Sequence, residues 1–415
     1  MEDIKKKLLV YAHYYYPDVA STGQILKELC EGMKGEFDIT VICAVPSYGG
    51  KIADEYTNNK YYHENINGVK VVRVRVPTFT KDNKKSRIKN LISYFFGAMG
   101  ATLKAEKQDY VFTISQPPIL GGVLGVIGKW FKGGKLIYNI QDFNPEQTMA
   151  VGYSKNKIII NAAMAVDKFS CKQADRVIVV GRDMQETLRN RFNNKNVPKS
   201  VFINNWIDEK EIHPLPEDNE KVCAFKKRYD LENKTVIMYS GNIGLYYDLE
   251  NLIKVIGNFK DREDVVFAFV GDGTKKKDIE AYSNYNELKN VRFIPYQDKE
   301  DLIYSLNAGD IHWVVNSKGI KGISVPSKLY GVMGVGKPVL GVLEKGSEAR
   351  VILEETGCGY VTDPGEYLEI EKLITTFIKN GDLTSQMGRA GRKYLMNNLT
   401  QDVSIRKYIN EIKSC

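Results

Sequence analysis

Short apolar runs alternate with longer amphipathic segments along almost the whole chain, and this alternation limits the possible folds more than any other feature of the sequence. In the first half the runs are predicted to be buried strands: Leu8–Tyr11, Ile39–Cys43, Val69–Val76, Tyr110–Ile114, Leu136–Ile140 and Val177–Val180. Helical patterns lie between them, at Gln24–Met33, Ile119–Phe131 and Ile158–Gln173. Such alternation predicts a parallel sheet that helices cover on both faces.

The pattern restarts after the polar, proline-containing segment His213–Asp218. The predicted strands are then Val236–Ser240, Val265–Val270, Val291–Ile294, Ile311–Val315, Pro338–Val342 and Gly359–Val361, with helices at Leu249–Phe259 and Lys328–Val335. We therefore predict an α/β protein with two doubly wound domains, 1–205 and 206–397, that face a central cleft. Leu383–Lys413 reads as helical, and its last part, about 398–415, is expected to pack back on the first domain.

Composition narrows the class of partner and the compartment. The net charge of +8 suits anionic partners such as nucleotides or phospholipid head groups, and nothing resembles a nucleic-acid recognition module. The six cysteines and four histidines are dispersed, so we expect no metal site and a reducing compartment. The apolar run Leu8–Ala12 is too short for a signal peptide, and Ile119–Phe131 is too short to span a bilayer. A cytoplasmic protein, peripheral on the inner face of the cell membrane, is the expectation.

Two candidate site segments follow strands of the first domain. Pro17–Gly23 is a small-residue loop that opens a helix, and free backbone N–H groups there would bind an anion. Capping of that helix by Ser21 or Thr22 explains the same pattern. Gln141–Glu146 crowds polar groups after a strongly apolar strand, where Asp142 and Glu146 are candidates for binding sugar hydroxyls or handling a proton. A capped turn is the alternative.

Glycine-containing segments also follow strands of the second domain. Ser240–Gly244 follows its first strand, where Gly241 and Gly244 permit a diphosphate to approach the backbone, although a tight turn has the same pattern. Val270–Gly273 ends the next strand. Together with Phe293–Tyr296 it is a candidate wall for a nucleobase.

A basic, glycine-rich loop, Lys318–Tyr330, leads into a helix of the second domain. Pro326 suits a first helical position, so Ser327, Lys328 and the helix N-terminus are expected to present donors to a phosphate. Ser324 as a simple helix cap is the alternative.

A second basic segment, Lys81–Lys89, precedes the aromatic stretch Leu91–Phe96. A basic loop beside aromatic residues suits an anionic membrane surface, so Lys84, Lys85, Arg87 and Lys89 are predicted membrane contacts. A solvated loop before a core helix is the alternative.

Taken together, these segments resemble the retaining family 4 glycosyltransferases of the GT-B fold, and best the bacterial branch that builds capsule, O-antigen and exopolysaccharide repeats. The best match is Val325–Tyr330 followed by Gly336–Val339, with Ser347–Ala349 and Cys358–Gly359 further on. The resemblance implies two Rossmann-like domains, a nucleotide-sugar donor held mainly by the second domain and an acceptor held mainly by the first. It also implies catalysis without a cofactor or an essential metal.

The resemblance also implies roles for individual residues. The implied catalytic residues are Asp142, Glu146 and Lys328. The implied donor-binding residues are Gly23, Asn242, Gly244, Gly271, Asp272, Gly273, Tyr296, Ser327, Lys328 and Tyr330. In a site without metal, basic side chains and helix N-termini would stabilise the departing diphosphate.

The chain departs from the family pattern at three places. Asn242 and Tyr247 occupy the positions of an Arg and a Lys, Ile323 and Gly331 those of a Glu-x7-Glu pair, and Gln141 that of a His. The leading hypothesis is transfer of a hexosyl or N-acetylhexosaminyl group from a UDP-sugar to a lipid-linked saccharide, with retention. A nucleotide-sugar 2-epimerase is the alternative enzyme, and a catalytically silent membrane-surface scaffold is the alternative of another class.

Overall fold

The computed structural model describes residues 5–18, 20–80, 83–150, 152 and 156–415, and all their side chains but that of Asp382. Val19, Lys81 and Asp82, which belong to predicted site segments, lie outside the described residues. The chain divides into two units. Unit 1 contains Met1–Val180, Met184–Ile203 and Ile405–Cys415, and unit 2 contains Gly181–Asp183 and Asn204–Ser404.

Eight strands rich in valine and isoleucine form the sheet of unit 1, in the order β3-β4-β2-β1-β5-β6-β7-β8. They are β1 Lys6–Ala12, β2 Phe37–Ala44, β3 Tyr61–Ile66, β4 Val69–Val74, β5 Tyr110–Ile114, β6 Lys135–Ile140, β7 Arg176–Val179 and β8 Ser200–Phe202. The pairs are parallel except β3 with β4. The helices between and after these strands are α1 Ser21–Met33, α2 Lys84–Lys104, α3 Leu120–Lys132, α4 Glu146–Ala150, α5 Lys157–Gln173 and α6 Arg182–Arg191, with a short 3-10 helix at Asp54–Tyr56.

Unit 2 has a six-stranded sheet in the order β11-β10-β9-β12-β13-β14, and its pairs are parallel throughout. Its strands are β9 Thr235–Ser240, β10 Val265–Val270, β11 Val291–Ile294, β12 Ile311–Val315, β13 Val339–Val342 and β14 Gly359–Thr362. Its helices are α7 Glu220–Arg228, α8 Leu249–Gly257, α9 Lys276–Tyr285, α10 Leu302–Ala308, α11 Lys328–Gly334, α12 Glu348–Thr356, α13 Tyr367–Lys379 and α14 Gly381–Asn398. The predicted α/β class with two doubly wound domains is confirmed.

The last helix, α15 Gln401–Lys413, lies mostly in unit 1. Tyr408 and Ile412 are buried there, and the Nδ2 group of Asn139 on β6 donates to the Tyr408 hydroxyl at 3.1 Å. Ile405 packs against Gly32 of α1 so closely that a Cβ at that glycine would collide with it. A segment distant in sequence therefore completes the core of unit 1.

Four local expectations were wrong. The predicted basic loop at Lys84, Lys85, Arg87 and Lys89 is the first turns of α2, because Asn83 caps that helix by accepting from the backbone N–H groups of Lys85 and Ser86. Ser21 and Thr22 lie within α1, whose N-cap is Ala20. Pro326 precedes α11 by two residues and is not its first position. Leu383–Lys413 is two helices, and the Thr400 hydroxyl accepts from the N–H of Val403 at the start of the second.

Candidate donor and acceptor sites

Each sheet has one point at which the strand order reverses, and ligands of doubly wound sheets bind beyond the carboxyl ends of the strands at such points. In unit 1 the reversal lies between β1 and β5, and in unit 2 between β9 and β12. The loops that follow β9 and β12 contain the glycine motif 241–244 and the basic segment 318–328. The N–H of Ser317 donates to the Tyr246 carbonyl at 2.7 Å, so the two loops are joined beside this point.

Glycines allow the loops after β9 and β10 to lie against each other. Gly271 has φ +140° and Gly273 φ +159°, and a Cβ at either residue would collide with the carbonyl oxygen of Gly241 or Ile243. The N–H of Gly241 donates to the Val270 carbonyl and that of Ile243 to the Asp272 carbonyl, both at 2.9 Å. The structure therefore brings the glycines of these two predicted donor segments together.

Lys328, the first residue of α11, lies beside the same loops. Its Nζ donates to the Tyr239 hydroxyl at 2.8 Å and lies 4.2 Å from the centroid of that ring. The ring of Tyr247 lies on the ammonium group with a separation of 3.7 Å, and Gly241 is close enough for a Cβ there to contact the lysine Cε at 3.4 Å. Burial among these groups lowers the pKa of Lys328 from its usual value near 10.5 to about 7.

Tyr239 and Tyr247 are site residues that the sequence reasoning did not assign. Tyr239 is almost fully buried on β9, its hydroxyl donates to the Asn242 carbonyl at 2.6 Å, and burial raises its pKa well above 10. The two rings are 6.0 Å apart in an edge-on arrangement. They hold the lysine amine in place at a partly desolvated position. The only sequence signal was the aromatic residue at 247, where a Lys was expected.

The other predicted donor residues of unit 2 differ in position. Ser327 is exposed at the N-cap of α11 and makes no side-chain capping bond. Asn242 and Asp272 are exposed on the two loops. Tyr296 is 57% exposed, whereas Phe293 stacks on Phe269 with ring centroids 5.6 Å apart. Of the two aromatic rings in the predicted nucleobase wall, that of Tyr296 is therefore the more accessible.

Tyr330 does not lie with these residues. It is 1% exposed and packs in a hydrophobic cluster with Leu329 and Met333. Its ring is therefore part of the core of unit 2, and the expectation that it contacts the donor is corrected.

Two carboxylates accept hydrogen bonds from the backbone of the basic loop 318–327. The Glu344 carboxylate accepts from the N–H groups of Gly319 and Lys321 at 2.9 and 3.0 Å, and the Asp183 carboxylate accepts from Gly322 N–H at 2.8 Å. The loop is thus held by backbone hydrogen bonds, which leaves its shape independent of its lysine side chains.

In unit 1, Gly23 lies in the first turn of α1, against the loop that follows β1. A Cβ at this position would lie 3.1 Å from the Tyr14 carbonyl oxygen, so a larger residue would require that loop to shift. The Thr22 hydroxyl donates to the side-chain oxygen of Gln116, which follows β5. The start of α1, which follows β1, is therefore connected through Thr22 to the loop that follows β5.

Asp142 follows β6 in a partly buried position. Its N–H lies 3.4 Å from the Ser115 hydroxyl, and its carboxylate accepts from Gln147 Nε2 at 3.2 Å. Burial raises the pKa of Asp142 to about 6, so the group can change protonation state near neutral pH.

Glu146, by contrast, belongs to a buried ion-pair cluster. Both of its oxygens accept from Arg191, at 2.5 Å each, and the same guanidinium pairs with Asp167 and donates to the Asn144 carbonyl. Arg191 also lies on the Phe143 ring, 4.2 Å from its centroid. These contacts fix the position of Glu146 beside the segment that holds Asp142, and its catalytic role stays a prediction. No spacing along the chain connects these residues.

The described residues contain no group of three or more His, Cys, Asp or Glu side chains arranged to hold a metal ion. Among the helices in the described part of the chain, none is both long and apolar enough to cross a membrane.

The comparisons with known proteins match both halves of the chain. Residues 221–394 match the family model "Glycosyl transferases group 1", and residues 22–205 match "Glycosyl transferase 4-like domain". The probable glycosyltransferase WbjE of Pseudomonas aeruginosa is 28% identical over 80% of this chain and 82% of its own length. The putative colanic acid biosynthesis glycosyl transferase WcaI of Escherichia coli K12 is 26% identical over 98% and 100%.

Solved structures show the same fold. Sucrose-phosphate synthase from Thermosynechococcus elongatus has a TM-score of 0.78 at 13% identity, with 99% of both chains covered. Anabaena HepE in complex with UDP-glucose has a TM-score of 0.71 at 14% identity, with 99% of this chain and all of the other covered. The class is defined by two doubly wound units, a half-buried lysine at a strand-order reversal, and both family matches. The chain belongs to the group 1 glycosyltransferases of the GT-B fold.

Proposed function

We propose that this protein transfers a hexosyl or N-acetylhexosaminyl group from a UDP-sugar to a lipid-linked saccharide, with retention and without a metal ion, in cell-surface polysaccharide biosynthesis. The names of WbjE and WcaI support glycosyl transfer, and that of WcaI supports the polysaccharide pathway. HepE has been solved with UDP and with UDP-glucose, which supports the choice of nucleotide. The acceptor places the enzyme on the inner face of the cell membrane.

The observation that carries the proposal is the position of Lys328. Its amine lies at the strand-order reversal of unit 2, close to Gly241 and to the ring of Tyr247. Charge develops on the diphosphate as the bond to the sugar breaks, and a donor fixed in a low-dielectric position stabilises that charge without reorganisation. We assign this role to Lys328, with Ser327, Asn242, Gly244 and the backbone of 271–273 as further donor contacts.

Lys328 also compensates for the departures from the family pattern. Asn242 and Tyr247 stand where relatives have a basic pair, so the nucleotide-binding loop has lost two positive charges. The Tyr247 ring that replaces the lysine lies on the Lys328 ammonium, and an aromatic face attracts a cation at this distance. In this proposal the positive charge is retained but comes from α11.

On the acceptor side we propose Asp142 for the sugar hydroxyls, with Gly23 near the diphosphate. Retention would require a donor phosphate oxygen to take the acceptor proton on the same face of the sugar from which the diphosphate departs. The ionised Asp142 would then orient the attacking hydroxyl, and the raised pKa of its carboxyl predicts that this orientation is lost below about pH 6.

The test measures transfer and hydrolysis with a panel of UDP-, GDP-, ADP- and dTDP-sugars, with Lys328→Met beside Lys318→Met. Loss of one buried donor to a developing anion costs about 10²–10³ in kcat. We expect that loss for Lys328→Met and wild-type activity within a few-fold for Lys318→Met. Full activity of Lys328→Met would remove the lysine from the mechanism.

The same panel separates the alternatives. A product that forms without any acceptor would indicate a 2-epimerase. If the melting temperature shifts with none of UDP, GDP, ADP or dTDP, the silent scaffold becomes the better explanation, because a ligand that binds the native state alone must raise stability.

A further inference from the structure

Helix α2 has an apolar stripe on the side away from the core. Its buried side carries Asn90, Tyr94, Gly97, Ala98 and Ala101. Its outer side carries Ile88, Ile92, Phe96 and Leu103, which are 54%, 47%, 63% and 58% exposed. The spacing of four, four and seven residues places these four side chains on one line along the helix. Burial in unit 1 therefore does not explain why they are apolar.

The neighbouring helices α3 and α5 have the same property. Trp130 and Phe131 at the end of α3 are 61% and 58% exposed. On α5 the exposed residues are Ile158 at 81%, Ile159 at 61%, Val166 at 41% and Phe169 at 42%. These positions again recur at helical spacing, on the side of α5 opposite to the buried Asp167 and Cys171.

These stripes form one surface, because α3 packs between α2 and α5. The Trp130 and Phe169 rings are in edge contact, 6.0 Å apart. Lys132 on α3 donates to the carbonyls of Leu103 and Ala105 at the end of α2, at 3.0 and 2.7 Å. We call this surface the apolar helical face; its members are Ile88, Ile92, Phe96, Leu103, Trp130, Phe131, Ile158, Ile159, Val166 and Phe169. A contiguous apolar surface of this kind marks an interaction site.

Charge identifies the partner. The three helices carry ten basic residues, Lys84, Lys85, Arg87, Lys89, Lys104, Lys129, Lys132, Lys157, Lys168 and Lys172. They carry a single acidic residue, Asp167, which is buried and paired with Arg191. A second copy of this face would meet equal positive charge, so self-association through it is disfavoured. A surface with negative head groups above an apolar layer matches both properties.

We propose that the apolar helical face docks on a bilayer that contains anionic lipid. The aromatic and aliphatic side chains enter the boundary between head groups and acyl chains, and the exposed Lys84, Lys85, Arg87 and Lys89 contact the lipid phosphates. The basic residues at the start of α2 then form one edge of the docking surface, and the apolar side chains insert into the bilayer. This inference deepens the proposed function, since a lipid-linked acceptor would be presented at the same membrane.

Trp130 provides a direct measurement. It is the exposed member of the three tryptophans, because Trp206 and Trp313 are 5% and 3% exposed. Vesicles of phosphatidylcholine with 30% phosphatidylglycerol, a composition chosen to be about one-third anionic, should shift its fluorescence to the blue. Lipids brominated on the acyl chain should quench it. Trp130→Phe should remove both signals while the protein still sediments with the vesicles.

Two sets of variants separate the apolar and electrostatic contributions. Ile92→Ser with Phe96→Ser should lower vesicle affinity at least ten-fold at any salt concentration, because the lost term is apolar burial. Charge reversal of Lys84, Lys85 and Arg87 should lower vesicle affinity by about five-fold per charge removed at low salt. The loss should be much smaller at 0.5 M salt, where the Debye length is only about 5 Å and the charges are screened. All altered side chains are exposed, so unchanged melting temperatures will confirm that the variants fold.

Matched controls lie on unit 2. Leu368→Ser with Tyr285→Ser removes apolar side chains that are 78% and 89% exposed, and Lys260→Glu with Lys277→Glu reverses charges elsewhere. These variants should bind vesicles like the wild type. Equal binding by the Ile92/Phe96 variant and the wild type would overturn the proposal. A dimer in sedimentation that Phe96→Ser abolishes would overturn it as well, in favour of a second copy as the occupant.

Hydrolysis of a soluble UDP-sugar requires no membrane. Measuring it beside vesicle binding therefore tests the enzymatic proposal separately from the docking proposal. If docking is correct and the enzymatic proposal is wrong, the vesicle results stand and no hydrolysis occurs with any variant. If docking is wrong, hydrolysis and nucleotide binding remain, and Trp130 does not respond to anionic vesicles.

Discussion

At the scale of single residues, the amine of Lys328 is the group whose protonation should report on the ligand. With a pKa of about 7 in the ligand-free protein, the amine is mostly neutral at pH 8 and mostly charged at pH 6. A bound diphosphate favours the charged form and therefore raises this pKa. Binding of the diphosphate therefore takes up a proton at pH 8 and almost none at pH 6.

We predict uptake of close to one proton when UDP binds at pH 8, and about one tenth of that at pH 6. Titration calorimetry in two buffers with different ionisation enthalpies measures it. Lys328→Met should bind UDP without this uptake, and Lys318→Met should behave like the wild type. The same uptake in Lys328→Met would show that another group titrates.

Sequence reasoning identified Lys328 but not what surrounds it. The segment 325–330 predicted the lysine and its helix from short-range pattern alone. The contact with Tyr239 and Tyr247 joins residues more than 80 positions apart, as does the hydrogen bond to the Tyr239 hydroxyl. The ion pair of Glu146 was not foreseen for the same reason, because its partner Arg191 lies 45 residues away on α6. Long-range partners leave no periodic trace in a single sequence.

At the scale of elements, α15 supplies core residues to unit 1, so changes to its buried side chains should destabilise that unit. Tyr408 is 1% exposed, contacts the Phe112 ring with centroids 6.2 Å apart, and accepts a hydrogen bond from Asn139. We predict that Tyr408→Ala lowers the free energy of unfolding by about 3–5 kcal/mol, as for other buried aromatic side chains. Tyr408→Phe should cost about 1 kcal/mol, the contribution of one hydrogen bond.

Denaturant unfolding followed by circular dichroism measures both changes. Tyr285→Ala is the matched control, since that side chain is 89% exposed and should change stability by less than about 0.5 kcal/mol. Equal costs for the Phe and Ala variants at position 408 would mean that packing of the ring is not what holds α15.

The strands were predicted more accurately than the ends of helices. β5, β10, β11 and β12 coincide with their predicted ranges, because a buried parallel strand reads as an apolar run with polar residues on both sides. β3 was missed because it is an edge strand whose residues are half-exposed and mixed in polarity. The break between α14 and α15 was missed because no glycine or proline marks it, and Thr400 caps the second helix through its hydroxyl.

At the scale of the whole molecule, each unit has its own hydrophobic core, so a nucleotide should stabilise one of them selectively. We predict that UDP slows hydrogen exchange in β9, β10 and the start of α11, and leaves β1 and β5 unchanged. At a hundred times Kd the bound unit gains about 2.7 kcal/mol. Exchange followed by mass spectrometry locates the effect. Equal protection of β1 would contradict the assignment of the donor to unit 2.

The path of the chain also bears on how the protein is made. A ribosome synthesises the strands of unit 1 first, yet the residues that finish its core, 405–415, come after all of unit 2. Unit 2 has its sequence complete at 404, so it can close while unit 1 still has an open apolar groove along Phe112 and Gly32. The half of the enzyme that is translated first is therefore the half that matures last. During that interval, the apolar surface that α15 later covers is exposed, and exposed apolar surface of this kind favours aggregation.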